Sequence, residues 1–278
     1  MSASKALAAG GTSVTRSSEA PGRLIVAWQH PVERSIHPVG FLTRTDDAFR
    51  FGYIRNALTV HDFPGLLSFD DLYGIYESSE LFQLFAQRAM DPRRPDYHRY
   101  VSRLGLEGDP GPWEQIARSQ GHREGDTIQL FPEPTTDGDE VRCLFLVHGM
   151  RHADKAPKTI NGVETSATRE QINTALEGLE PGDELGIFRE PGNVKNPLAL
   201  VVTISPYQLI PIGWVPDLLV EDLQRLLDCA EVTVTAEHVN GPEAPWHLRL
   251  LARLRATHAP GFRFFVSDRW EPLSPDAQ

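Results

Sequence analysis

The sequence predicts an α+β protein, with a small N-terminal sheet plus helices followed by a small β-barrel with flanking helices. Short runs rich in β-branched and aromatic residues recur along the chain between turn residues, and amphipathic helical stretches lie among them. The proline-containing acidic stretch FPEPTTDGDE, residues 131–140, divides the whole into two. A chain of 278 residues suits two compact domains.

Residues 1–22 are small, polar and glycine-rich with no apolar stretch of secretory length, and read as a disordered tail. Residues 23–131 are the expected first domain. Its apolar runs Leu24–Trp28, Ile36–Thr43 and Phe49–Ile54 predict a three-stranded meander. Leu81, Phe82 and Phe85 are spaced for one helix face, and Asp91-Pro92 breaks that helix. Tyr97, Tyr100, Val101 and Leu104 predict a second helix closed by Gly105, and residues 112–120 a third that stops at Gly121. Residues 132–140 are the expected linker. Within 141–272, EVRCLFLVHGM, DELGIF, PLALVVTI, LIPIGWV, VTVTAEHV and HLRLLARLRA read as strands. Thr168 and Gln171 form a capping box that starts one helix, and PDLLVEDLQRLLD is an amphipathic helix with Pro216 in its first turn. Short strands closing around one or two helices predict the barrel.

Composition narrows the function. Hydrophobic content of 40% and charged content of 23% are ordinary globular values. No apolar run approaches the ~20 residues of a membrane span, so a soluble protein is expected. Cys143 and Cys229 each sit in an apolar stretch and read as reduced, buried thiols of a cytoplasmic protein. A net charge of −11 excludes a generally basic nucleic-acid binder, because Lys and Arg supply most phosphate affinity. A local basic site stays open, since charge placement matters as well as its sum. Arginine supplies 23 of the 27 basic residues and lysine only 4.

The chain carries no GxxxxGK[ST] loop and no GxSxG elbow, and neither cysteine stands in a motif with a placed histidine. His148 and His152 in HGMRH are four apart, but Gly149 ends the strand rather than continuing a helix. Asp46-Asp47, Asp70-Asp71 and Asp183-Glu184 are adjacent pairs suited to turns. In MDPRRPDYHRYVSR, Tyr97 and Tyr100 lie on the apolar stripe of the helix, with the arginines on its wet face. A protein without enzymatic activity, cofactor or metal is expected.

FREPGNVKNPLAL, residues 188–200, leaves the core and returns within a few residues. Pro191-Gly192 suits the central positions of a type II turn, and Asn193 then bonds either its own backbone or a ligand. This block has company. FLVHGMRH (145–152), GDELGIFREPGNVKNPLALVV (182–202) and IGWVP (212–216) together resemble, in order, the HIRAN domain: its first strand and Gly-x-Arg turn, its Asp/Glu-Pro-x-Asn-x-x-Asp/Asn loop, and its Gly-aromatic-Val-Pro segment. The N-terminal region is similar to that of bacterial two-part HIRAN proteins and, more faintly, to the small N-terminal domain of HipA-type proteins.

The resemblance implies an OB-like small barrel that binds nucleic acid, above all single-stranded DNA or 3′ ends. By matched position Arg151, His152, Asn193 and Asn196 would line its pocket, with Lys155, Lys195 and Trp214 completing the expected binding set. The sequence departs from DNA-binding relatives by placing His152-Ala153 where they carry paired tyrosines, and Asn196 where they carry an acidic residue. A base stacked on an aromatic ring is worth ~1–3 kcal/mol, so that exchange reduces affinity. The alternative is a protein-interaction module in a bacterial stress or phage-defence complex, and in either case the N-terminal domain is expected to dock a protein partner.

Overall fold

The computed structural model describes residues 21–123 and 125–275. Of the expected tail only Pro21 and Gly22 fall among them; the Pro21 carbonyl accepts from Trp113 Nε1 at 2.8 Å and the Gly22 carbonyl from the Arg44 amide at 2.8 Å. The fold is α+β. Strands β1 (Arg23–Gln29), β2 (Ile36–Arg44) and β3 (Phe49–Tyr53) make the expected meander. Two further strands, β4 (Ile75–Ser78) and β5 (Ile128–Pro132), extend it to a five-stranded antiparallel sheet ordered β4-β3-β2-β1-β5. The first helix shrinks to one turn, α1 (Gln83–Ala86), whereas α2 (Tyr97–Arg103) and α3 (Pro112–Ser119) form as the spacing predicts. Tyr97, Val101 and Leu104 are buried, and Arg93 and Arg94 pair with Asp91 and Asp96. Tyr97 of this stretch thus packs into the protein interior, with the arginines on the exposed side, as the spacing predicts.

Residues 132–140, expected as a linker, hold the end of β5, strand β6 (Thr135–Asp137) and the start of β7 (Glu140–Leu146), with β6 and β7 paired as a hairpin. Beyond it come a small hairpin of β8 (Lys158–Ile160) and β9 (Val163–Thr165), then α4 (Arg169–Glu177) with both capping-box bonds in place. Strands β10 (Glu184–Arg189), β11 (Leu200–Thr203) and β12 (Pro211–Trp214) follow. Helix α5 (Asp217–Leu227) has Pro216 at its N-cap rather than inside its first turn. Strands β13 (Glu231–Val239) and β14 (Leu250–Thr257) complete a seven-stranded sheet ordered β12-β11-β10-β13-β14-β7-β6. His247 and Leu248, expected to begin the last strand, instead belong to a 3-10 turn, Trp246–Leu248.

The seven-stranded sheet curls until the chain just past β7 meets β12. There the His148 amide donates to the Trp214 carbonyl at 2.8 Å and the Trp214 amide to the His148 carbonyl at 2.9 Å. This is a single bridge and not a ladder, so the sheet is joined at one point where a closed barrel was expected. Gly213 permits the approach. A Cβ there would lie 2.6 Å from the His148 carbonyl oxygen and 2.6 Å from Val147 Cγ1. Gly213→Ala is expected to cost about 1–3 kcal/mol, the range for overpacking, and to separate the two segments. Thermal unfolding and the backbone amide signals of His148 and Trp214 check it.

Both faces of β1 are buried, which explains its unbroken apolar run. Leu24, Val26 and Trp28 face a core with Phe51, Phe69, Phe85 and Trp113. Ile25 and Ala27 face a second core shared with Phe145, Leu200, Leu223 and Trp270 of the C-terminal part. The chain's end returns to the first sheet, where the Leu273 amide donates to the Tyr53 carbonyl at 2.9 Å. Cys143 is buried, but Cys229, expected to be buried, is exposed; both thiols are free. No helix among the described residues is long and apolar enough to cross a membrane.

Candidate functional site

A pocket of ≈ 450 Å³ opens beside the point where β7 and β12 meet. Its walls come from three separate stretches: His148 to Lys158, Glu190 to Ala199, and Trp214 to Asp217. His152, Asn193, Lys195, Asn196 and Trp214, singled out from sequence, all line it. Arg151 and Lys155 do not. Both are exposed, and Arg151 Nε donates to His152 Nε2 at 2.9 Å, so these two cations stand outside the walls beside the His152 ring.

Glu190 organises the interior. It is only 5% exposed, and its Oε2 accepts from Trp214 Nε1 at 2.6 Å and from Asn193 Nδ2 at 2.8 Å. One carboxylate oxygen therefore aligns the indole edge and the start of the 190–199 loop, as a charge-assisted acceptor can. The indole also rests on Gly149, whose φ of 66° places it in the left-handed region; a Cβ there would lie 2.7 Å from Trp214 Cε3.

The loop does not contain the expected type II turn. Its first turn is closed by the Asn193 amide on the Glu190 carbonyl at 3.0 Å, and Gly192 has no positive φ. The asparagine amides hold the loop instead. Asn193 Oδ1 accepts from the amides of Lys195 at 3.0 Å and Asn196 at 3.2 Å. Asn196 Oδ1 accepts from the Leu198 amide at 2.9 Å, and its Nδ2 donates to Asp217 Oδ1 at 2.9 Å. Their side chains shape the rim before any ligand arrives.

Charge at the site differs from the chain as a whole. His152 is pushed below its ordinary pKa first by burial and then by four cations, Lys155, Arg151, Lys195 and Arg169. Lys158 is 3% exposed; burial lowers its pKa, while Glu190 and Asp154 oppose that shift. Its Nζ donates to the carbonyls of Ala153 at 3.0 Å and of Ala156, and stands 5.3 Å from the centre of the Trp214 ring. Carboxylates are present too, Glu190 and Asp217 on the walls. The site is a mixed one with a basic rim.

Sequence reasoning passed over Trp246 and Arg169. The Arg169 guanidinium is hydrogen-bonded to Asp154 and to the Arg151 carbonyl, and lies 4.9 Å from the Trp246 ring centre. This arginine-aromatic pair continues the basic rim past Arg151. Only the fold brings residue 246 there, so no local motif marks it. On the other side, His148 Nε2 meets Gln120 Oε1 at 2.8 Å, and the His122 and His247 rings lie 4.5 Å apart. Gln120 reaches His148 from the left-handed residue that ends α3 (φ 57°). Among the described residues no cluster is suited to a metal ion.

No family model matches the chain, and no curated protein matches it. Among solved structures, a protein from Lactobacillus plantarum is similar at 16% identity over 43% of this chain and 98% of that one, with a TM-score of 0.31. The HIRAN domain of human HLTF is similar at 14% identity over 42% of this chain and 73% of that one, with a TM-score of 0.25. Likenesses this distant carry no weight in assigning the site, which stands on its own geometry.

Proposed function

We propose that this protein binds single-stranded DNA, at or near a strand end, in the pocket beside Trp214, with the curled seven-stranded sheet serving as an OB-like scaffold. The observation that carries the reading is convergence. Three segments far apart in sequence, each picked out by the HIRAN resemblance, supply the walls of one pocket, and four cations surround the His152 ring beside it. Arg151, Lys155 and Lys195 are exposed and suited to phosphates. Trp214 and Trp246 offer half-buried rings for base contact. Glu190 presents a carboxylate that can accept from a sugar hydroxyl or a base amino group.

Fluorescence anisotropy with 3′-hydroxyl, 3′-phosphate and duplex oligonucleotides at low salt tests the reading. Single strands are expected to bind more tightly than duplex. The double substitution Arg151→Glu with Lys195→Glu is expected to weaken binding at least ~10-fold and to flatten the slope of log K against log salt by about 1.4, the value for two lost phosphate contacts on a single strand. Binding of no oligonucleotide below ~100 μM, the weak end of non-specific affinity, would overturn it.

A further inference from the structure

Lysine is the scarce base in this chain, with 4 residues against 23 arginines, yet Lys158 and Lys195 line this one pocket and Lys155 stands just outside it, near His152. Either residue meets a phosphate. What lysine adds is an amine that can lose its proton and act as a nucleophile. Lys155 and Lys195 are exposed, whereas Lys158 is enclosed in the pocket wall.

Lys158 is enclosed without a carboxylate partner to hold it as the ammonium. Two carbonyls, of Ala153 and Ala156, accept from Nζ, and its remaining side is turned to the Trp214 ring, whose centre lies 5.3 Å away, with no carboxylate against it. Lys158 forms no ion pair within 4.0 Å among the described residues, and the two carboxylates that act on it are engaged elsewhere. Asp154 chelates Arg169, and Glu190 holds Trp214 and Asn193. Burial further disfavours the ammonium form.

We propose that Lys158 captures the open-chain aldehyde of a phosphorylated sugar in this pocket as an imine. The Nζ lone pair attacks the aldehyde carbon and forms the C–N bond. The carbonyl oxygen then leaves as water, carrying both amine hydrogens, and a C=N bond remains. No oxidant or reductant is consumed. His152 and Glu190, on the pocket wall, are the groups placed to carry protons, and Lys195 and His152 are placed to meet the phosphate. Such an aldehyde has two sources, a free sugar phosphate and an abasic site in a nucleic-acid strand. The inference rests on the nucleic-acid reading only for the second. Capture is stoichiometric and requires no turnover.

The test incubates the full chain with 2-deoxyribose 5-phosphate in one arm and an abasic-site oligonucleotide in the other, adds sodium borohydride, and weighs the intact protein. One reduced adduct per chain, mapped to Lys158 by peptide mass spectrometry and missing in a folded Lys158→Arg variant, is the expected result. Should that variant fail to fold, the position of the adduct in the wild-type chain decides. No adduct in either arm, or adducts spread over Lys155 and Lys195 without Lys158, would overturn the inference. An intact oligonucleotide that binds while no adduct forms leaves the nucleic-acid reading standing and removes this one; a sugar-phosphate adduct with no oligonucleotide binding does the reverse.

Discussion

Glu190→Ala is expected to lower stability by about 1–3 kcal/mol and to abolish ligand binding in the pocket. The substitution removes the buried acceptor of two half-buried donors, Trp214 Nε1 and Asn193 Nδ2, and leaves water in the pocket as their replacement partner. A fully buried donor left unpaired costs about 1–3 kcal/mol, and water in the pocket holds the cost of two half-buried ones to that range in total. Removing the carboxylate also frees the indole from one wall and Asn193 from the other, so two sides of the pocket lose their reference point together. A fall of roughly 2–12 °C in Tm corresponds to that cost in a chain of this size. Glu190→Gln keeps a carbonyl acceptor and is expected to retain most of the stability. If Glu190→Ala melts within ~1 °C of wild type, the carboxylate does not organise the site.

The second large effect is acid sensitivity centred on His148. Burial, reinforced by the nearby His122 and His247, pushes the His148 pKa from 6.5 down to about 4. The folded state therefore prefers the neutral ring, while the unfolded chain takes up a proton near pH 6.5. Stability from this group is fully present above pH 6.5 and is lost as pH falls from there towards about 4. One pKa unit corresponds to about 1.4 kcal/mol, so the loss from His148 alone reaches up to about 3 kcal/mol. His247, also lowered to about 4, acts in the same direction. Denaturant melts at pH 7 and pH 4.5 check the effect. His148→Gln, which still offers an amide donor to Gln120, is expected to flatten the dependence between these values; an unchanged slope would show that the ring is not held neutral. Because His148 also forms the backbone bridge to Trp214 and lines the pocket, ligand binding is expected to weaken over the same interval.

Much of the local structure is legible in the sequence, for definite reasons. The meander of β1, β2 and β3 is written in apolar runs and turn residues. The start of α4 is set by Thr168 and Gln171, whose reciprocal bonds depend only on residues three apart. Pocket membership of His152, Asn193, Lys195, Asn196 and Trp214 follows from short motifs in order. The misreadings share a cause. FPEPTTDGDE has linker composition but pairs as a hairpin, because β7 offers a partner that composition does not reveal. Cys229 sits in an apolar stretch yet is exposed, since it follows the end of α5. The Pro191-Gly192 turn is decided by the Glu190 carbonyl and the Asn193 side chain rather than by glycine's tolerance of positive φ.

The amino-acid order alone determined the β1–β3 meander, the helices α2 to α5 and most strands of the second half, and that any affinity for phosphate must be local in a chain of net charge −11. These are matters of propensity, periodicity and composition, which act over a few residues or over the total. Only the tertiary structure decided that Glu190 is the acceptor aligning Trp214, that Lys158 is enclosed while Lys155 is exposed, and that Trp246 joins the rim beside Arg169. Each depends on residues 24 to 77 positions apart meeting in the folded chain. Burial and the pairing of distant groups set their chemistry, and neither is present until the sheet has curled.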